Sequence, residues 1–199
     1  MRMGPPGRAA LAAVLALLVT GCSTPGESAG PATPSAATRS ATATPIDPSA
    51  AAAQYAADTP PDAAQMVCSD EIRRQVQGAL GLDGTPVPQP QWADHVYTCT
   101  YAVPIGTLVL AVSVSPSVED AGAQLDALRM RLGAADPEGD FGERAYSAPA
   151  GVLVAVKDNL VLTIDATALP DDLGVGHQRR IDVVRLLAAG VFACWTGAS

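Results

Sequence analysis

Three segments of the chain have the periodicity of apolar residues that is typical of amphipathic helices. Apolar residues recur every fourth position from Ile72 to Leu80, between a good N-cap residue, Ser69, and a typical stop residue, Gly81. This spacing predicts a helix over 69–80. Two further apolar stripes, over 118–132 and 179–195, predict two more helices.

Alternating patterns predict strands between these helices. Apolar and polar or small residues alternate over 97–103 and again over 108–115, on either side of the turn at 104–106. One side of the second strand is strongly apolar, and the other carries smaller or polar side chains, so we call it the milder side. The milder side consists of Val109, Ala111, Ser113 and Ser115.

The same order of elements recurs in the second half. Short apolar runs predict strands at 144–147, 152–156 and 160–166. Three other segments are predicted to be loops: the Pro-rich segment 85–91, the acidic segment 134–142 and the segment 170–176. Strand pairs followed by helices indicate an α+β fold. We expect an antiparallel sheet of about four to five strands with helices packed on one face, made of two strand–strand–helix halves after an N-terminal helix.

The N-terminus has the pattern of an export signal. Arg2 and Arg8 precede an unbroken apolar run of eleven residues, 9–19, which is too short to span a bilayer as a helix but is typical of a signal peptide. Val19-Thr20-Gly21-Cys22 follows directly. This segment resembles the lipobox of bacterial lipoproteins, which implies that Cys22 receives diacylglycerol and becomes the mature N-terminus.

Composition then divides the rest of the chain. Of the 39 residues from 23 to 61, 32 are Ala, Ser, Thr, Pro or Gly, a composition that cannot bury enough apolar surface to order itself. We therefore predict a signal peptide at 1–21, a lipidated Cys22 with a disordered tether through 61, and one globular domain at 62–199.

Charge excludes some partners. The net charge of -8 gives no basic footprint for nucleic acid, so no nucleic-acid partner is expected. Aromatic residues are only 4% of the chain, so the core must be mainly aliphatic.

Three cysteines remain for the exported domain. Cys68, Cys99 and Cys194 all fall on predicted inward stripes, and an oxidising compartment favours a disulfide. We favour Cys68–Cys99, with Cys99–Cys194 as the alternative. The thiol left over would be a buried core residue.

Candidate chemistry is sparse. The chain has two histidines and none of the common hydrolase, zinc-protease or nucleotide-binding motifs in its predicted domain. Asp165, Asp171, Asp172 and His177 are the nearest approach to a cluster. No metal, cofactor or catalytic residue is predicted, and an exported enzyme using these four residues is the alternative hypothesis.

The combined features resemble a known group of proteins. Besides the lipobox and tether, Cys68, the segment Tyr97-Thr98-Cys99-Thr100-Tyr101 and the terminal Cys194-Trp195-Thr196-Gly197 are similar to small uncharacterised lipoproteins of high-GC actinobacteria. That resemblance implies a compact sensor-like α+β domain on the outer face of the cell membrane. We expect a non-enzymatic binding or sensor module for an envelope ligand or protein, with the milder sheet face or the acidic 136–140 as its surface.

Overall fold

A seven-stranded antiparallel sheet organises the part of the chain that the structure describes. The structure is a computed structural model and describes residues 46–133, 135–173 and 176–197. The helices are α1 (Pro48–Ala56), α2 (Asp62–Gln65), α3 (Asp70–Leu80), α4 (Val118–Leu132) and α5 (Arg180–Gly197), with a 3-10 turn at Met66–Cys68. The strands are β1 (Gln89–Ala93), β2 (Val96–Val103), β3 (Gly106–Val114), β4 (Asp136–Glu138), β5 (Arg144–Ala148), β6 (Val152–Lys157), β7 (Leu160–Asp165), β8 (Asp172–Leu173) and β9 (Gln178–Arg179).

The strand order confirms the α+β class. The main sheet runs β1-β2-β3-β7-β6-β5-β4, so the two halves of the chain meet where β3 pairs with β7, and β8 and β9 form a separate small hairpin. Four to five strands was an undercount. The first three residues of β1 and all of β4 lie in segments predicted as loops, because Pro90 and Pro137 argue against a central strand but are tolerated at a sheet edge.

One face of the sheet carries the larger core. Helices α3 and α5 pack there against the apolar side of β2, β3, β6 and β7. The Tyr101 hydroxyl is fully buried in this core and donates to the Val67 carbonyl oxygen at 2.6 Å. The predicted helix limits hold at α3, where Ser69 Oγ accepts from the Ile72 amide and Gly81 takes the left-handed conformation.

Helices cover both faces, which corrects the prediction that they pack on one face only. Ala121 and Leu125 of α4 pack against Val154, Val156 and Val161 on the opposite side of the sheet. The sequence misled here because β6 is apolar on both sides, a pattern that a short buried strand shares with many other buried segments.

The fold also begins earlier than predicted. Residues 46–61 were assigned to the tether, yet they contain α1, which Asp47 caps by accepting from the Ser49 amide. Ala51 is fully buried. Asp47 and Pro48 are favourable residues for a helix start, and the helix is held by tertiary contacts of Ala51 and of Tyr55, which stacks on His95.

The predicted disulfide is present. Cys68 and Cys99 are bonded with their Cα atoms 5.5 Å apart, joining the start of α3 to the inward side of β2. Cys194 lies outside this bond and is 3% exposed on α5. In the described residues, no helix is both long enough and apolar enough to cross a membrane.

Candidate functional site

The milder side of β3 belongs to a larger surface that the described residues leave partly uncovered. Strand register places Gln91, Thr98, Ala111 and Thr163 in one row across β1, β2, β3 and β7. The two neighbouring rows lie on the same side and contribute Thr100, Val109 and Ser113, and the row of Thr100 and Val109 continues to the acidic Asp165 of β7. We call this surface the open face, and it consists of Gln91, Thr98, Thr100, Val109, Ala111, Ser113 and Thr163.

Helix α4 explains why this part of the sheet is open. The helix covers β6 and β7, so it forms a wall beside β3 rather than a lid over it. Every residue of the open face remains partly or fully exposed, in contrast to the buried residues on the other side of the same strands. Three of the four predicted surface residues therefore lie on the open face.

Ser115, the fourth predicted surface residue, is buried instead, with 4% exposed. It lies just past the end of β3, where its hydroxyl is 3.1 Å from Gln124 Oε1 of α4 and its amide donates to the Asn159 carbonyl oxygen. Ser115 thus helps to fix the end of β3 against α4. The alternation could not show this, because the covering residues come from other parts of the chain.

A polar cavity of about 290 Å³ closes one end of the open face. Ser113 on the sheet and Gln124 on α4 reach into its lining. Tyr55 comes from α1, and Asp94 and His95 come from the turn between β1 and β2. We call this the end cavity; it brings together residues that are up to 69 positions apart in the chain, Tyr55 and Gln124.

Aromatic stacking positions α1 at this cavity. The Tyr55 and His95 rings are stacked with centroids 3.9 Å apart, and Trp92 meets His95 edge-on at 6.1 Å. Asp94 and His95 both have positive φ, 50° and 59°. Two-residue hairpins favour such a turn, and it presents the His95 ring to α1.

The end cavity is rich in hydrogen-bond acceptors. Asp94 and Asp120 supply carboxylates, and Asp120 also accepts from the Ser117 hydroxyl at 2.6 Å. His95 Nδ1 is buried and has no hydrogen-bond partner among the described residues. Among the residues that the structure describes, no lysine or arginine lines the cavity, so its chemistry suits a group rich in hydrogen-bond donors rather than an anion.

A second cavity, of about 430 Å³, lies near the end of α5 and is lined in part by Phe192. Three of its charged groups, Glu143, Lys157 and Asp158, are engaged with each other or with the main chain. Lys157 Nζ is 2.6 Å from Asp158 Oδ2, and Asp158 also accepts from the Ile46 amide. Glu143 accepts from the Asp158 amide at 3.0 Å. This arrangement fixes the β6–β7 turn and the start of the described chain.

The acidic segment 136–140 is not the free loop that was expected. Its first three residues form the edge strand β4. Glu138 accepts from Arg185 Nε at 2.8 Å and also from the Ser147 hydroxyl. The ion pair ties β4 to α5, so Glu138 has a structural role here.

The four residues of the alternative enzyme hypothesis lie apart from the cavities described above. His177 Nδ1 is 2.8 Å from Asp172 Oδ2, but both side chains are mostly exposed. Asp171 pairs with Arg180 and is 91% exposed. Asp165 accepts from the Thr167 amide and hydroxyl. The structure therefore gives each of these acids a local partner at the surface and does not gather them in a pocket.

Two further predictions concern ligands and lipid. In the described residues, no group of three or more His, Cys, Asp or Glu side chains is placed to hold a metal ion. Cys22, the predicted lipidation site, lies outside the described residues. Its modification remains a prediction.

Sequence reasoning missed Tyr55 and Gln124 as site residues. The signal for α1, Asp47 followed by Pro48, was present, and recognising it would have removed Tyr55 from the predicted tether. Nothing local marks Gln124, because its role depends on the packing of α4 beside β3.

No protein-family model, curated protein or solved structure matches this chain.

Proposed function

We propose that this chain is a lipid-anchored extracytoplasmic binding module that acts without catalysis. The open face, continued by the end cavity, is its binding surface. The observation that carries this proposal is the geometry of the surface: a stretch of sheet that the described residues leave uncovered, walled by α4 and ending in a polar concavity. Binding sites are commonly concave and place a few polar groups at fixed positions.

Export is supported by the disulfide. A cross-link between Cys68 and Cys99 is stable in an oxidising compartment and rare in the cytosol. The apolar run at 9–19 and the lipobox-like Val19-Thr20-Gly21-Cys22 supply the matching route. A diacylated Cys22 would hold the protein stably at the membrane, because two acyl chains bind far more firmly than one.

The sequence places about 24 positions between Cys22 and Ile46, where the described fold begins. In this proposal these residues form the predicted tether, and a flexible chain of that length has a root-mean-square reach of roughly 27 Å. The tether would leave the binding surface free to reach ligands in the cell envelope.

The anchor is tested by replacing Cys22. We expect the wild-type protein to partition into detergent and to carry the mass of a diacylglyceryl group on Cys22, and C22S to lose both. Cys194→Ser is the matched control, because Cys194 is not preceded by Val-Thr-Gly and lies far from the N-terminal export signal. A mature protein that begins elsewhere, or begins at Cys22 without lipid, would refute the anchor.

The binding surface is tested by cysteine footprinting in cell envelopes. Thr98→Cys places a thiol in the middle of the open face, and Thr85→Cys places one on an exposed loop outside it. We expect maleimide to label position 98 at least fivefold more slowly in intact envelopes than in the purified protein, and position 85 equally in both. Equal labelling of position 98 in both samples would show that nothing occupies the face.

A further inference from the structure

We infer that helix α1 is a reversible strap that opens and closes the end cavity. We call residues 46–57 the strap, which consists of α1, its two capping residues and Ile46. Tyr55 of the strap forms part of the cavity lining. The inference goes beyond the proposed function, because opening of the strap depends on how α1 is docked and not on what the open face binds.

Little apolar surface holds the strap in place. Of the nine residues of α1, only Ala51 is buried. Two polar contacts come from the β6–β7 turn. Asp158 Oδ1 accepts from the Ile46 amide at 3.0 Å, and the neighbouring Asn159 Nδ2 donates to the carbonyl oxygen of Ala51 at 3.4 Å. A segment with few buried apolar contacts opens locally at a lower free energy than the core of the same protein.

Polar atoms at the interface of the strap lower the stability of its docked state. Within the described residues, five buried side-chain nitrogen or oxygen atoms have no hydrogen-bond partner. Three of them lie where the strap meets the fold: Gln54 Oε1 on α1, Asn159 Oδ1 in the turn that binds Ala51, and His95 Nδ1 in the ring that stacks on Tyr55. A buried polar atom without a partner penalises the state that buries it. Undocking exposes these atoms to water and removes the penalty.

The strap is coupled to the end cavity through Asn159. Besides contacting Ala51, Asn159 Nδ2 donates to the Ser115 carbonyl oxygen at 3.0 Å. Ser115 lines the cavity and is 4% exposed. Because one amide nitrogen contacts both main chains, α1 lies beside Ser115 when it is docked. Undocking therefore removes Tyr55 from the cavity wall and uncovers one side of Ser115.

The segment after the strap holds its C-terminal end. Trp92 Nε1 donates to the Asp58 carbonyl oxygen at 3.1 Å, and Pro60 and Pro61 have fixed φ angles just before α2 begins. With the proposed anchor at Cys22, undocking would add about 12 residues to the tether and raise its root-mean-square reach from roughly 27 Å to roughly 33 Å. Opening of the cavity would thus lengthen the link to the membrane.

The test measures hydrogen exchange at single amides of the full chain in detergent, by mass spectrometry with electron-transfer fragmentation. We expect amides 51–56 to exchange together, with protection factors within about threefold of one another and at least about 100-fold below those of α3. A steady rise in protection from 51 to 56 would show fraying from the helix end. Protection equal to that of α3 would show that α1 is released only by global unfolding. Either result overturns the inference.

Two variants weaken the docking from opposite sides. Tyr55→Ala removes the stacked ring, and because Ala is a better helix former than Tyr, faster exchange cannot come from lost helix propensity. His95→Asn removes the partner ring and tolerates the positive φ at that position. We expect each variant to speed the exchange of amides 51–56 at least about fivefold and to leave α3 unchanged. Ala52→Gln, at an exposed position of α1, is the matched control and should change neither.

Thiol labelling tests whether the strap gates the cavity. Ser115→Cys places a thiol beside the strap with little change in side-chain volume, and Thr85→Cys is the exposed reference. We expect Tyr55→Ala to speed maleimide labelling of position 115 by the same factor as the exchange of α1, and to leave position 85 unchanged. If Tyr55→Ala leaves either the labelling of position 115 or the exchange of α1 unchanged, the inference fails. Labelling of Thr98→Cys in envelopes is a separate result, because Thr98 lies outside the end cavity, so the proposed function stands or falls independently.

Discussion

Removing the Cys68–Cys99 disulfide tests how much this cross-link contributes to stability. The bond closes a loop with a sequence separation of 31. In the chain-entropy model, such a loop contributes about 3.7 kcal/mol to the free energy of unfolding at 25 °C. Domains of this size have only about 5–15 kcal/mol in total, so the bond supplies a large share.

The double variant Cys68→Ala/Cys99→Ala removes the bond without leaving a thiol that could pair with Cys194. Cys99 is fully buried, so losing its sulfur adds a packing cost of about 1 kcal/mol. We therefore expect the free energy of unfolding to fall by about 4–5 kcal/mol in total. Reduced wild-type protein, which keeps both sulfur atoms, should lose about 3.7 kcal/mol.

Urea unfolding followed by the fluorescence of Trp92 and Trp195 measures these losses. With a denaturant slope of about 2 kcal/mol per molar urea, reduction should lower the midpoint by about 2 M. Cys194→Ala is the control, because it removes a buried sulfur but leaves the cross-link intact. A loss below about 1 kcal/mol in the double variant, or a Cys99–Cys194 peptide in a non-reducing digest, would refute the reasoning.

Two further predictions concern the core and a turn. Burial raises the pKa of Tyr101, so the native state holds its proton more tightly than the unfolded chain, and stability should fall as pH rises above about 10. Tyr101→Phe should flatten this alkaline loss in urea midpoints measured across pH, and an equally steep loss in the variant would contradict it. Gly106→Ala should lower the free energy of unfolding by more than about 1 kcal/mol. The reason is that φ at Gly106 is +143° and the new Cβ would lie 2.1 Å from the Ala168 carbonyl oxygen. Gly84→Ala, with nothing within 4 Å, should change the melting temperature little, and similar losses in both variants would show that the turn is not constrained.

The elements with a strong local signal were predictable. Helix α3 has its cap, its apolar stripe and its stop residue within thirteen positions, 69–81, and the structure confirms all three. The alternation in β2 and β3 likewise placed Cys99 on the inward side, which is why its pairing with Cys68 could be favoured from the sequence. Such features depend on neighbours close in the chain.

The edge strands of the sheet and the point where the fold begins were harder to predict from the sequence. Strands β1 and β4 are short and contain proline, so their pairing depends on a partner strand and not on their own pattern. Helix α1 has low-complexity composition, and its docking depends on Asn159 and His95, which are 108 and 40 residues away from Ala51 and Tyr55. Local propensity could not show these contacts.

The candidate site likewise has one feature that the sequence determined and another that only the tertiary structure decided. The sequence by itself determined that one side of β3 is mild and uncharged, since that follows from the residues at alternate positions. Only the tertiary structure decided that this side would be open at Ala111 and closed at Ser115, because α4 packs over β6 and β7 and meets only the end of β3. Which surface a helix covers is settled by packing between distant segments, and a pattern within one strand carries no information about it.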